Sequence, residues 1–215
     1  KIDVDFGIVN MTSSEEVENF EIKTITNISS KFKIECQDQE LIISDNKHNI
    51  IENWWNMFEN YNRRFELNIL YPADFVFENV DLYVSAGKVN CEGLTFNTMK
   101  SNISAGLLTL SNLHGQSFAS KNSAGETRME NSDIRKINTT ASAGNIQFKN
   151  IFFEEFDFKL SAGNLYVSVN GSKSEYNIDV DVSAGNSNLS NQKGTTEKYI
   201  KGNVSAGNIN FSFND

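Results

Sequence analysis

Residues 85–106 read SAGKVNCEGLTFNTMKSNISAG, a stretch that opens and closes on the same tripeptide. Ser-Ala-Gly begins at Ser85, Ser104, Ser123, Ser142, Ser161, Ser183 and Ser205, so the intervals are 19, 19, 19, 19, 22 and 22. A fixed period of that size means an array of equivalent units and takes precedence over any local reading. Aligned on the serines, the sixth residue onward is Cys91, Leu110, Met129, Phe148, Val167, Leu189 and Phe211, and the fifth residue before is Val80, Met99, Phe118, Ile137, Phe156, Ile178 and Ile200. Both columns are wholly apolar. The position just before the first column holds Asn90, Thr109, Arg128, Gln147, Tyr166, Asn188 and Asn210. Apolar and polar positions alternate with period two, the mark of a half-buried strand.

A unit of this size cannot bury its apolar face alone and must stack on its neighbours. The sequence therefore predicts an all-β parallel β-solenoid with 19 to 22 residues per coil, equivalent residues forming ladders about 4.8 Å apart. The coils are longer than hexapeptide-type triangular turns, which favours a right-handed β-helix. A propeller needs roughly twice this repeat length. Alanine suits a tight inward corner, and glycine allows a positive φ where the chain turns. The three extra residues of the last two coils fall in the loops holding Gly171-Ser172-Lys173 and Gly194-Thr195-Thr196. Asn145, Asn164, Asn186 and Asn208 each follow a Ser-Ala-Gly glycine, so their amides can hydrogen-bond along the stack. That gives a role to part of an unusual total of 30 asparagines.

The chain reads as one continuous domain in two parts. Residues 84–215 form the regular coils. Residues 1–83 form irregular first coils, with β-like segments at 3–9, 17–26, 32–35, 41–44 and 65–71. Within them Ile51, Trp54, Trp55, Phe58 and Tyr61 follow helical spacing, which predicts a short capping helix over about 49–62. Such a helix would cover unpaired backbone at the open end of the stack. The last coil stops ten residues after its Ser-Ala-Gly begins, which predicts Phe211 and Phe213 near an exposed edge that is either blunted by its own loops or open to weak end-to-end self-association.

The chain has 215 residues, 39% hydrophobic and 22% charged, the balance of a globular domain. A single proline, Pro72, excludes collagen-like and proline-rich classes. The net charge is -9, and residues 1–83 carry 16 acidic against 7 basic groups while residues 84–215 carry 12 of each. An acidic chain without a basic stripe is not built to bind nucleic acid. Cys36 and Cys91 have neither a metal-ligand nor a redox spacing, and both fall in apolar alternation, which predicts buried free thiols.

From Phe65 onward, FELNILYPADFVFENVDLYVSAG followed by KVNCEGLTFNTMKSNISAG, and later GSKSEYNIDVDVSAG, resembles the putative-adhesin domain family of unknown function of Gram-positive bacteria and Bacteroidetes. Tyr71-Pro72 matches the family's strand-ending turn. The resemblance implies a β-helical protein that is extracytoplasmic, at the cell surface or envelope, following removal of an N-terminal signal or membrane segment. It supplies no catalytic residues.

No dinucleotide fingerprint, phosphate loop, nucleophile elbow or His-Glu-x-x-His is present, and neither His48 nor His114 has a partner in sequence. The nearest analogue of a polysaccharide-cleaving acidic cluster is Asp157, Asp179 and Asp181 with Lys159 and Lys201, which charge pairing across strands also explains. The reading is of a non-enzymatic surface module with no cofactor and no metal, whose partner is a surface glycan, protein or envelope component. The alternatives are a polysaccharide-active enzyme and a structural element assembling through its ends. Two regions offer the aromatic and amide groups that recognition uses: Trp54, Trp55, Phe58 and Tyr61, which is preferred, and the outward face carrying Tyr166 beside Gln147 and Asn188.

Overall fold

The computed structural model describes residues 1–5, 7–26, 32–37, 40–45 and 65–214. The expected helix at 49–62, and with it Trp54, Trp55, Phe58 and Tyr61, lies outside the described residues.

The described chain is almost entirely strand: β1 (Ile2–Val4), β2 (Ile8–Ser14), β3 (Glu21–Thr26), β4 (Phe32–Gln37), β5 (Glu40–Asp45), β6 (Phe65–Pro72), β7 (Val76–Val84), β8 (Lys88–Glu92), β9 (Thr95–Ile103), β10 (Leu107–Ser111), β11 (His114–Asn122), β12 (Glu126–Ala141), β13 (Asn145–Phe152), β14 (Glu155–Leu160), β15 (Asn164–Asn170), β16 (Asn177–Ser187) and β17 (Tyr199–Asn214). Each coil contributes one stretch after a Ser-Ala-Gly corner and one before the next. The coils pair in parallel and in repeat register: Leu108 lies between Val89 and Thr127, and Phe118 between Met99 and Ile137. The corner amides continue the ladder, with Ala105 N donating to Ser85 O and Ala124 N to Ser104 O, both at 2.7 Å. The result is a β-solenoid-like stack.

Its core is the space between the two rows. Val89, Cys91, Leu108, Leu110, Met129, Ile146 and Phe148 come from one row and Met99, Phe118, Ile137 and Phe156 from the other, all buried in one cluster. Ring contacts cross between rows, as at Phe118 and Phe148 (6.3 Å) and Phe148 and Phe156 (6.1 Å). Where the Phe158 ring fills the core, its neighbour is Gly202, whose missing Cβ would lie 2.1 Å from the ring.

The turn opposite each Ser-Ala-Gly corner has its own periodic signature. Gly93, Asn112, Asn131 and Asn150 adopt φ of 73°, 54°, 51° and 52°. Glycine and asparagine tolerate this left-handed conformation best, so a second group of asparagines is fixed by backbone geometry.

The N-terminal coil is more regular than its sequence suggests. Asp5 and Gly7 stand where Ser85 and Gly87 stand in the next coil: Ser85 N donates to Val4 O, Ala86 N to Asp5 O and Lys88 N to Gly7 O, each at 2.8 Å. The Ser85 hydroxyl donates to Asp5 Oδ1 at 2.6 Å. This eighth corner breaks the expected strand over 3–9 into β1 and β2.

Coil order departs from chain order at both ends. β1 lies between β5 and β7, and β2 between β6 and β8, so the first coil sits one place in from the end. At the other end β17 inserts between β14 and β15 on one side and β16 on the other. The expectation that Phe211 and Phe213 mark an exposed edge is therefore corrected: Phe211 is 3% exposed and Phe213 is partly buried. β16 is the outer strand, and Gln192 and Asn191 cover part of its edge, through the Ile178 to Gln192 bridge and the bond from Val180 N to Asn191 Oδ1. At the opposite end β3 and β4 run antiparallel to β6 and β5. The ion pairs Lys23 with Glu21 and Lys33 with Glu35 place charge on these strands, a common defence of a sheet edge.

The cysteines divide. Cys91 is buried as expected, but Cys36 is exposed. Its alternation with Ile34 is real, yet among the described residues β4 pairs only with β5, and Lys33 to Cys36 are all exposed.

Candidate functional site

The stretches after the corners present an outward grid of amides. In its first column Asn164 Nδ2 donates to Asn145 Oδ1 (3.0 Å), Asn208 Nδ2 to Asn164 Oδ1 (3.0 Å) and Asn186 Nδ2 to Asn208 Oδ1 (2.9 Å). The ladder predicted from the sequence forms, with Asn208 and Asn186 exchanged by the insertion of β17. Each bond runs the same way, so each interior amide spends one N–H and one oxygen lone pair and keeps one of each for a ligand.

The adjacent outward column contains Gln147, Tyr166 and Asn210 in pairing register. Tyr166 thus sits between Gln147 and Asn210, not beside Asn188. Asn188 follows one place further out, its Nδ2 donating to Asn210 Oδ1 at 3.3 Å and to Phe211 O at 2.7 Å. Tyr166 is 45% exposed, an aromatic face set among amides. In the same column near the other end, Asn90 Nδ2 donates to Asn10 Oδ1 (2.6 Å) and Asn10 Nδ2 to Asn68 Oδ1 (2.7 Å).

A shallow trough of about 560 Å³ runs along the corners, floored by Ala86, Gly87, Ala105, Gly106, Ala124 and Gly125. It is open because alanine and glycine leave nothing larger than a methyl group there. Asn145 lies on its lining, so the trough leads into the amide ladder.

The acidic cluster on the other row is arranged for pairing. Asp157 and Asp179 do not adjoin each other, because Lys201 lies between them in register. Lys159 and Asp181 flank Asn203 in the same way. The Tyr199 hydroxyl lies 3.0 Å from both Glu155 Oε2 and Asp157 Oδ2, and Lys136 Nζ is 2.6 Å from Glu155 Oε2. Contact with Lys136 draws the Glu155 carboxyl below its ordinary range, while burial and the two carboxylates push the Tyr199 hydroxyl up. A catalytic acid needs a raised carboxyl, and Glu155 is moved the other way. Among the described residues no group of three or more His, Cys, Asp and Glu side chains is placed to hold a metal ion. His114 begins β11 on the exposed side and His48 lies outside the described residues. No helix among the described residues is long and apolar enough to cross a membrane.

Sequence reasoning found the first amide column and Tyr166, but missed the corner at Asp5 and the asparagines of the opposite turn. The signal for the first was present: VDFGIVNM at 4–11 shares valine, glycine, valine and asparagine, position for position, with VSAGKVNC at 84–91.

A repetitive all-β stack of parallel coils in repeat register, with polar ladders outside, defines a class of β-solenoid-like domains. Within it, the Toastrack DUF4097 family model matches residues 1–215, and the chain belongs to that family. Among solved structures, a putative cell adhesion protein from Clostridium sporogenes is 18% identical, covering 99% of this chain and 92% of its own, with a TM-score of 0.45. No curated protein matches the chain.

Proposed function

We propose that this protein is a non-enzymatic module of the cell surface or envelope, held outside the cytoplasm, that binds a glycan on its amide face. The observation that carries the reading is the hydrogen-bonded column Asn145, Asn164, Asn208 and Asn186 beside the exposed ring of Tyr166. Sugar hydroxyls both donate and accept, which matches amides with one free donor and one free acceptor each, and a tyrosine face covers the apolar side of a sugar ring. Because the ladder bonds fix the amides before a ligand arrives, little side-chain freedom is lost on binding. The unfilled trough at the corners gives an extended chain a path toward Asn145. A right-handed sense of coiling is part of this proposal.

The test is a glycan array carrying cell-wall polysaccharides, run beside a hydrolase and lyase screen. Binding that Tyr166→Ala and Asn164→Leu each weaken at least fivefold supports the amide face. Binding lost in Trp54→Ala or Trp55→Ala but kept in Tyr166→Ala moves the site to the aromatic segment at 54–61. Turnover of any polysaccharide overturns the non-enzymatic reading.

A further inference from the structure

One flank of the molecule breaks the rule by which the stack treats its phenylalanine rings. In the regular coils Phe96, Phe118, Phe148, Phe153 and Phe156 are at most 1% exposed. At the turns that follow β2 and β6, Phe75 is 40% exposed and the adjacent Val76 is 54% exposed, with Phe20 and Phe77 half-buried beside them. These turns are held together by the bond from Ala73 N to Ser14 O (3.1 Å). Phe20 meets Phe75 edge-on at 5.0 Å and Phe77 at 6.0 Å, and Phe75 meets Phe77 at 4.7 Å. Tyr71 is the buried floor, its hydroxyl donating to Glu92 O at 2.7 Å. The four rings are packed against one another, so Phe75 and Val76 form a firm apolar surface.

Among the described residues, the charges on these two turns have one sign. Glu15, Glu16 and Glu18 lie on the first turn, Asp74 on the second and Glu78 near the start of β7, all exposed. No lysine or arginine occurs in residues 7–22 or 65–87. Among the described residues Glu15, Glu16, Glu18 and Asp74 form no ion pair, whereas some carboxylates elsewhere do, such as Glu154 with Arg135 and Glu130 with Lys149. An apolar surface inside an acidic rim that forms no ion pair among the described residues is complementary to an apolar side chain flanked by cations. Arginine suits it doubly, since its guanidinium can lie on an aromatic face and pair with a carboxylate.

We infer that the Phe20, Phe75, Val76 and Phe77 surface docks a cationic amphipathic segment of a partner protein. A second copy of this chain is a poor occupant, because a net charge of -9 opposes contact at an acidic flank. An anionic lipid surface is repelled for the same reason. The surface lies on the turn side of the stack and is distinct from the amide columns.

The experiment titrates the intact protein with three synthetic peptides: one alternating Arg and Leu around a single Trp, one with Glu in place of each Arg, and one with Ser in place of each Leu and Trp. The first is expected to bind one to one, at least about tenfold more tightly than either of the others (about 1.4 kcal/mol). Its affinity falls with added salt. Phe75→Ser and Asp74→Lys each weaken it at least fivefold, while Asp181→Lys, the same charge change at the far end, leaves it unaltered. The inference is overturned if the Glu peptide binds equally, or if Asp181→Lys weakens binding as much as Asp74→Lys. It is equally overturned if Phe75→Ser abolishes self-association in sedimentation, or binding to neutral lipid vesicles, while peptide affinity is unchanged.

Discussion

The Ala206 amide donates to the Ser161 carbonyl at 2.9 Å, joining corners that are two coils apart in sequence. The intervening corner at Ser183 is displaced to the outside, where Ala184 pairs with Ala206. The first coil makes a matching entry at the other end, with Val9 between Leu67 and Val89. Both terminal strands therefore have backbone partners on two sides, which removes the fraying that chain ends usually show. The edges fall instead to β16, which Gln192 partly covers, and to the antiparallel strands β3 and β4.

The insertion makes β16 depend on residues that follow it in the chain. Deleting residues 199–215 would remove the parallel neighbour of β16 and the partner of β14 and β15 at once. We expect amide hydrogen exchange at Ile178 to Val182 to rise to nearly the rate of an unfolded chain, while Met99 and Phe118 in the middle coils stay protected. A truncated protein that kept slow exchange at Ile178 to Val182 would mean that β16 stands without β17.

The contrast between what the sequence disclosed and what it concealed has a physical cause. The two apolar columns were legible because a strand facing a core must alternate, and each column repeats that requirement seven times. The order of coils was not legible, because Ile178 and Ile200 satisfy the same column and either could follow Phe156. The lengthened connections at 171–176 and 188–198 were the trace of it, since a chain that skips a coil needs extra residues. The partners of the acidic cluster changed for the same reason, Lys201 moving from the outside to a place between Asp157 and Asp179. Cys36 misled because alternation marks a strand but does not say whether a second layer covers it.

Glycines at the stacked corners should differ sharply from glycines in open loops. A Cβ on Gly207 would lie 2.1 Å from the Gly163 carbonyl oxygen, and its φ of 135° is strained for any L side chain. Gly171 has a comparable φ of 146°, yet the nearest atom to its Cβ is 4.0 Å away. Gly171→Ala is expected to cost about 1 to 2 kcal/mol from backbone conformation alone. Gly207→Ala adds a collision that only separation of two coils can relieve, for a total of roughly 3 kcal/mol or more. Urea unfolding of the two variants reads the difference directly, and equal losses would show that the corners are looser than their spacing implies.

The thiols should react one at a time. Cys36 is exposed on β4, whereas Cys91 is buried and its thiol is pushed up to about 12 by that burial. The thiolate is the reactive form, so Cys91 is protected both by access and by protonation. A thiol reagent at neutral pH is expected to label one site per chain rapidly and the second only with denaturant. Mass spectrometry of the labelled peptides would identify the fast site, and fast labelling of Cys91 would contradict the packing described here.

The stack should also lose stability in alkali before its backbone is attacked. Tyr71 and Tyr176 are fully buried, and each hydroxyl donates to a main-chain carbonyl, Glu92 O at 2.7 Å and Phe153 O at 3.0 Å. Burial pushes both hydroxyls well above the ordinary tyrosine range, because a phenolate there would lose water and could no longer donate to the carbonyl. Above about pH 10 the unfolded chain releases these protons while the folded chain retains them. The folded state then binds more protons than the unfolded state, so the slope of unfolding free energy against pH is negative. Stability from this source is fully present below pH 10 and falls as pH rises, approaching about 1.4 kcal/mol per pH unit for each tyrosine. Tyr71→Phe with Tyr176→Phe should lower stability at pH 7, since two main-chain carbonyls lose these hydroxyl donors at roughly 1 kcal/mol each, yet flatten the alkaline decline. Urea unfolding at pH 7, 10 and 11 would check this, and an alkaline decline as steep in the double variant as in the parent would assign it to other groups.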